Sequence, residues 1–169
     1  MEKSNIILIG MPTSGKSTVG VIAAKILGLN FIDTDLVIQQ REGKLLCEII
    51  DNYGIEGFLK CEENAILSLQ ETGALIATGG SAVYSEAAMQ HLKHDGIIVY
   101  LKVNQKELFK RLHNVKERGV VLRPNETIEE MYRERCILYK KYADIIIDEG
   151  EKNLEETVTE VVRTIGNQQ

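Results

Sequence analysis

Long apolar runs are absent from this 169-residue sequence. No stretch reaches about 18 apolar residues, so the sequence predicts no membrane-spanning helix. The apolar part of its first ten residues, MEKSNIILIG, is too short for a signal peptide and fits a first β-strand better. We therefore expect a cytoplasmic protein with no membrane partner.

Cysteine is also scarce, and positive charge is outnumbered by negative charge. Cys47, Cys61 and Cys136 are odd in number and form no CxxC pair, which predicts buried free thiols in a reducing compartment. Lysine and arginine number 20 against 25 aspartates and glutamates, giving a formal net charge of −5. That balance argues against nucleic acid as the main partner, although a local cationic pocket for phosphates remains compatible with it.

What the chain does contain is enough material for one folded domain, residues 1–169. Apolar residues make up 44% of it, and five short apolar runs lack the strict alternation of a one-sided strand. Continuous runs of this kind are typical of strands covered on both faces of a parallel sheet. The predicted strands are residues 5–9, 30–32, 74–78, 96–101 and 144–147.

Helical periodicity appears in the segments between these strands. Strands that alternate with helices predict an α/β fold with a parallel sheet. The predicted helices are residues 16–27, 56–70, 85–93, 105–112, 127–139 and 154–165.

A phosphate-binding motif follows the first predicted strand. Gly10 to Ser17 reads GMPTSGKS, which satisfies GxxxxGK[ST] between a strand and an amphipathic helix. Its glycines allow backbone N–H groups to surround a phosphate, Lys16 can reach the β- and γ-phosphates, and the Ser17 hydroxyl can meet Mg²⁺. A chance glycine-rich turn is the alternative interpretation. The expected nucleotide contacts are Gly10, Pro12, Thr13, Ser14, Gly15, Lys16, Ser17 and Thr18.

Two aspartates follow the second predicted strand, where ligands bind in such sheets. Asp33 and Asp35 lie one residue apart, so one can hold the metal and the other can accept a proton from an acceptor hydroxyl. Capping of a helix N-terminus is the alternative, and the two roles can coexist. The third strand ends in Thr78-Gly79-Gly80-Ser81, where paired glycines permit close approach of a ligand or form a plain tight turn.

With these motifs in place, the chain resembles the shikimate kinase family from its first strand to its last. The matching stretches are GMPTSGKSTVG, LGLNFIDTD, REGKLLCEII with GIEGFLKCEE, LIATGGSAV, VYLKV and RERCILYKKYADIIID. The resemblance implies a three-layer P-loop fold with a five-stranded parallel sheet in the order 2-3-1-4-5 and helices on both faces. It also implies a substrate-binding segment at about 34–61, a lid at about 113–126, and ATP and a small hydroxylated acid as ligands of a monomer.

The resemblance further implies a role for individual residues. Asp33 joins Ser17 in holding Mg²⁺, and Asp35 binds the acceptor hydroxyls and assists their deprotonation. The remaining acceptor residues are Glu62, Gly79, Gly80 and Arg135, the last of which meets a carboxylate.

Two further arginines are assigned by the resemblance to the nucleotide side. Arg118 aligns with the lid arginine that touches the transferred phosphate, with Arg123 as the competing match. Arg111 falls where the family uses an arginine near adenine.

The sequence departs from the family in the acceptor half. Leu59 stands where the family has an arginine that grips the shikimate carboxylate, and Ser81 replaces the third glycine of a GGG run. The leading expectation is phosphorylation of shikimate to shikimate 3-phosphate. A kinase for a related sugar acid or polyol, and an ATP-binding regulatory protein without turnover, are the alternatives.

Overall fold

Five parallel strands form a single sheet in the computed structural model, which describes residues 4–112 and 119–166. The strands are β1 (Asn5–Ile9), β2 (Asn30–Asp33), β3 (Ala74–Ala77), β4 (Gly96–Lys102) and β5 (Ile145–Asp148). They pair in parallel in the order β2-β3-β1-β4-β5, which confirms the predicted topology. All residues of β1 and β3 are buried, as their continuous apolar sequences require.

Helices cover both faces of this sheet. The described residues form α1 (Lys16–Leu27), α2 (Thr34–Glu42), α3 (Leu46–Leu67), α4 (Glu86–Asp95), α5 (Gln105–Arg111), α6 (Ile128–Tyr142) and α7 (Leu154–Gly166). A short 3₁₀ helix spans Ala82–Tyr84. One core cluster joins the sheet to α1 and α7 through residues such as Val19 and Val161, and another joins it to α4 and α6 through Met89 and Met131.

The segment between β2 and β3 is more helical than the sequence analysis predicted. Helix α2 was not predicted, and α3 begins at Leu46 rather than at residue 56. Gly43 ends α2 with φ 62°, and Gly54 interrupts α3 with φ 69° and ψ 179°. These left-handed glycines divide the predicted substrate-binding segment into short helical pieces. In short pieces the helical spacing of apolar residues is harder to detect in the sequence.

Two further expectations concerned the cysteines and membrane-spanning helices. The three cysteines are free, but each is partly exposed, so the prediction of buried thiols was wrong. Across the described ranges, no helix combines the length and the apolar character needed to cross a membrane. The cytoplasmic location stays a prediction.

Candidate active site

A cavity of about 350 Å³ lies beyond the carboxyl ends of β1 and β3. It is enclosed by the phosphate-binding loop, the start of α2, the middle of α3, the turn after β3, residues 119–121 and Arg135 of α6. A single cavity thus brings together most of the predicted site. The predicted residues that line it are Pro12, Thr13, Gly15, Lys16, Ser17, Thr18, Asp35, Glu62, Gly79, Gly80 and Arg135.

The backbone of the phosphate-binding loop depends on two glycines. Gly10 has φ 152°, and a Cβ there would lie 2.6 Å from the carbonyl oxygen of Leu101. Gly15 has φ 80° and caps α1 without a side-chain hydrogen bond, so the first N–H groups of the helix stay open to the cavity. A helix N-terminus of this kind favours an anion.

Lys16 folds back over this loop. Its Nζ donates hydrogen bonds to the carbonyl oxygens of Gly10, at 2.8 Å, and Met11, at 2.6 Å, and contacts Ser14 Oγ at 3.2 Å. Burial lowers the pKa of Lys16 from 10.5 to about 8, because desolvation disfavours the ammonium more than Asp35 favours it. The ammonium is therefore poorly hydrated, which strengthens its attraction to a phosphate.

Ser17 and Asp33 form a hydrogen-bonded pair at the edge of the loop. Ser17 Oγ donates to Asp33 Oδ2 at 2.6 Å, and Asp33 Oδ1 accepts from the backbone N–H of Asp35 at 3.0 Å. Asp33 is thus the N-cap of α2 and still presents a carboxylate beside the hydroxyl. The described residues contain no group of three or more His, Cys, Asp or Glu that could hold a metal alone. Mg²⁺ commonly takes one or two protein oxygens and completes its shell with phosphates and water, which fits this pair.

Asp35 and Glu62 approach each other across Gly79. A Cβ at Gly79 would clash with Glu62 Oε1 and would lie 2.9 Å from Asp35 Oδ1. Desolvation, reinforced by Asp33, raises the pKa of Asp35 to about 6, while Lys16 opposes the rise. Glycine at position 79 therefore gives two carboxyl groups access to the same part of the cavity.

Glu62 is held by a residue that departs from the family sequence. Ser81 Oγ donates a hydrogen bond of 2.6 Å to Glu62 Oε2, and Glu62 is 2% exposed. Within the described part of the chain, Glu62 Oε1 is buried without a hydrogen-bond partner. Burial raises the pKa of Glu62 to about 7, although the Ser81 hydrogen bond favours the ionised form.

Arg135 of α6 supplies a buried cation to the same cavity. It is 1% exposed, its Nε donates to Tyr84 Oη at 3.2 Å, and its Nη2 donates to the Val121 carbonyl at 2.5 Å. Residues 119–121 are therefore tied to α6 and cover the cavity. A guanidinium in this setting can form a charge-assisted pair with a carboxylate.

Comparison with known proteins identifies the family of this chain. The family model for shikimate kinase matches residues 12–166. A shikimate kinase from Actinobacillus pleuropneumoniae serotype 5b (strain L20) is 37% identical over an alignment that covers 99% of this chain and 99% of that protein. The chain belongs to the shikimate kinase family.

Solved structures of family members agree with this assignment. A shikimate kinase from Aquifex aeolicus vf5 is 34% identical, with a TM-score of 0.83 and coverage of 96% of both chains. A shikimate kinase from Acinetobacter baumannii, solved in complex with shikimate, is 27% identical, with a TM-score of 0.88 and coverage of 98% of this chain and 94% of that one.

The arginines expected on the nucleotide side lie in different places. Arg118 lies outside the described residues. Arg123 does not line the cavity; it contacts Glu134 through Nη1 at 2.9 Å and is 47% exposed. Arg111 lines a second cavity of about 320 Å³ and donates to the Thr13 carbonyl at 3.3 Å, which keeps it next to the phosphate-binding loop.

Of the two departures from the family, only Ser81 lines the main cavity. Leu59 lines an adjoining cavity of about 260 Å³ that shares Glu62 and Ser81 with it. The two cavities meet at the hydrogen-bonded Glu62–Ser81 pair. The place of Leu59 in the acceptor half stays a prediction.

Three contributions to the site were missed in the sequence. Phe58 lines the main cavity and lies four residues before Glu62 on α3, a helical spacing that could have indicated it. Val121 lines the cavity, whereas the sequence analysis placed it in the lid segment without a role in the site. Tyr84 contacts Arg135 from a turn whose position no local sequence signal reveals.

Proposed function

We propose that this protein transfers the γ-phosphate of ATP to a hydroxyl of shikimate, giving shikimate 3-phosphate and ADP. The observation that supports this most strongly is the single cavity that joins the phosphate-binding loop, the Asp35–Glu62 pair and buried Arg135. A relative of known structure binds shikimate and shares the fold over nearly the whole chain.

The nucleotide side of the proposed site is the loop from Gly10 to Thr18. Its backbone N–H groups and the open end of α1 bind the β-phosphate, and Lys16 interacts with the γ-phosphate as negative charge develops. Arg111, packed on the Thr13 carbonyl, contacts the adenine. Arg118 serves as the lid arginine.

On the acceptor side of the proposed site, some residues bind shikimate and another accepts its proton. Arg135 binds the carboxylate of shikimate, and Gly79 and Gly80 let the ring approach the backbone. Asp35 accepts the proton of the attacking hydroxyl. Because the pKa of Asp35 is about 6, it is mainly ionised at neutral pH yet basic enough to take that proton. Glu62 orients a second hydroxyl of the ring.

Ser17 and Asp33 are the residues that would hold Mg²⁺ with the phosphates. When bound, Mg²⁺ neutralises charge on the β- and γ-phosphate oxygens. We also propose that the chain acts as one domain, built on its single five-stranded sheet, and as a monomer.

An acceptor panel tests this proposal. ADP release is measured with purified protein, ATP and Mg²⁺ in the presence of shikimate, gluconate, other sugar acids or polyols. Shikimate is expected to give the highest kcat/KM. A higher kcat/KM for a sugar acid than for shikimate would make that sugar acid the acceptor. The absence of ADP release with every acceptor would favour an ATP-binding regulatory protein.

A further inference from the structure

Tyr84 forms a network with groups from three parts of the chain. It ends the short 3₁₀ helix after Gly80, and its ring lies under two guanidinium groups. The Cζ atoms of Arg135 and Arg123 are 5.2 Å and 4.9 Å from the ring centroid. Contacts of this kind attract a cation to the face of an aromatic ring.

The hydroxyl of Tyr84 extends this network by hydrogen bonds. Tyr84 Oη accepts from Arg135 Nε at 3.2 Å and donates to Glu134 Oε2 at 3.3 Å. The Glu134 carboxylate in turn accepts from Arg123 Nη1 at 3.0 Å and 2.9 Å. Tyr84 thus connects the turn after β3, the segment before α6 and two residues of α6.

These contacts fix how the Arg135 guanidinium is presented. A guanidinium carries five N–H donors in one plane, and here Nε is directed at Tyr84 Oη while Nη2 donates to the Val121 carbonyl. Tyr139, one turn further along α6, also interacts with the guanidinium through its hydroxyl. The orientation of Arg135 is therefore set by contacts with Tyr84, Tyr139 and Val121, and the side chain still lines the main cavity.

The orientation of Arg135 matters more here than in a pocket with two carboxylate-binding arginines. The cationic side chains among the described lining residues are Lys16, which belongs to the phosphate-binding loop, and Arg135. Leu59 supplies no charge from the adjoining cavity, and Lys60 there is paired with Glu63. Arg123 shares the Tyr84 ring with Arg135, but it is paired with Glu134 and does not line the main cavity. Among the described lining residues, no cation outside the phosphate-binding loop would replace a misdirected Arg135.

We infer that Tyr84 is a positioning residue for the acceptor, which acts by orienting the Arg135 guanidinium toward the acceptor carboxylate. The inference rests on the proposed function, because it takes shikimate as the acceptor. Tyr84 itself lines the adjoining cavity rather than the main one, so it acts through Arg135.

The test compares Tyr84→Phe with wild type in steady-state kinetics. The variant keeps the ring and loses the hydroxyl that accepts from Arg135 Nε. The KM for shikimate is expected to rise about tenfold, with kcat and the KM for ATP changing by less than about twofold, because the carboxylate is remote from the transferred phosphate. Tyr132→Phe is the matched control, since its hydroxyl donates to the Val103 carbonyl at 3.0 Å and Tyr132 lines neither the main nor the adjoining cavity.

A substrate without the carboxylate charge separates positioning from general structural damage. With the methyl ester of shikimate, the difference between Tyr84→Phe and wild type is expected to shrink to less than about twofold. Tyr84→His, whose ring nitrogen can accept from Arg135, is expected to bind shikimate more tightly than Tyr84→Phe. This second variant also carries the test if Tyr84→Phe folds poorly.

The outcomes separate this inference from the function on which it rests. If wild type does not phosphorylate shikimate, the proposed function and the inference both fail. If wild type is active and Tyr84→Phe leaves the shikimate KM unchanged, only the inference fails. An equal loss with shikimate and its methyl ester, or a parallel rise in the KM for ATP, would show a structural role instead.

Discussion

Ser17 Oγ donates a 2.6 Å hydrogen bond to Asp33 Oδ2, which joins the phosphate-binding loop to the N-cap of α2. The pair combines a hydroxyl and a carboxylate, the oxygen donors that Mg²⁺ prefers. The same carboxylate stabilises the helix, so its two roles must be separated by the choice of substitution.

Asp33→Asn separates metal binding from helix capping. Asparagine caps helices about as well as aspartate but removes the negative charge. We expect the Mg²⁺ concentration for half-maximal activity to rise about tenfold, with little change in the thermal midpoint. Titration of activity with MgCl₂ at saturating substrates measures it. An unchanged Mg²⁺ requirement would exclude Asp33 from the metal site.

Asp35→Asn is expected to reduce turnover far more than nucleotide binding. The side chain faces Gly79 and the acceptor part of the cavity, and an amide cannot accept the hydroxyl proton. The expected loss in kcat is about 10² to 10⁴, with the dissociation constant for ATP within about twofold. Kinetics and calorimetric titration with ATP check both values. Glu155→Gln, an exposed carboxylate of α7 outside the predicted substrate-binding segment, is the control. Lost ATP affinity with preserved kcat would reverse the assignment.

Glu62 makes the stability of the protein depend on pH. Its pKa is about 7 in the folded chain against 4.5 as the ordinary value, so the folded state holds this proton more tightly than the unfolded state. The free energy of unfolding should therefore fall as pH rises from about 4.5 to about 7. The loss that is due to this group is on the order of 3 kcal/mol.

Glu62→Gln removes this titration while keeping the shape of the side chain. Urea unfolding at about pH 5 and about pH 8 should show a smaller loss of stability in the variant than in wild type. The same pH dependence in both proteins would mean that Glu62 is ionised throughout this range in the folded state.

Leu59→Arg tests the carboxylate contact that the sequence lacks. Leu59 lines the adjoining cavity together with Tyr84, which in turn contacts Arg135, so a new guanidinium would lie on the same side as Arg135. The KM for shikimate should fall about tenfold with kcat unchanged, because a charge-assisted hydrogen bond is added to ground and transition states alike. Leu59→Met controls for volume without charge. A loss of native activity would show that Leu59 packs against an apolar part of the true acceptor.

The features that are local in sequence could be predicted before the structure was known. The phosphate-binding loop, the strand before it and α1 form one continuous segment, so spacing and residue type indicate them together. The strand order followed from the family resemblance. Helix α2 and the early start of α3 were missed because Gly43 and Gly54 adopt left-handed conformations that a helical pattern does not show.

The features that depend on tertiary packing could not be predicted in this way. Ser81 was noticed as a departure, but its hydrogen bond to Glu62 joins residues 19 positions apart in different elements. Likewise, the dipeptide Arg123-Pro124 resembled a lid motif, whereas its arginine packs on Tyr84 and pairs with Glu134. The roles assigned to Arg111 and to Arg118, with Arg123 as its competing match, stay predictions.

The most direct test of the central claim is phosphorus NMR of the products formed from ATP, Mg²⁺ and shikimate by wild type and by Lys16→Ala. Lys16 is buried in the phosphate-binding loop, and its loss should lower kcat by about 10² or more without changing which product forms. With wild type, the account predicts shikimate 3-phosphate and ADP in equal amounts. With Lys16→Ala, it predicts that the rate at which the shikimate 3-phosphate signal grows is lower by about 10² or more. ADP release without a phosphorylated shikimate, or equal rates for the two proteins, would contradict it.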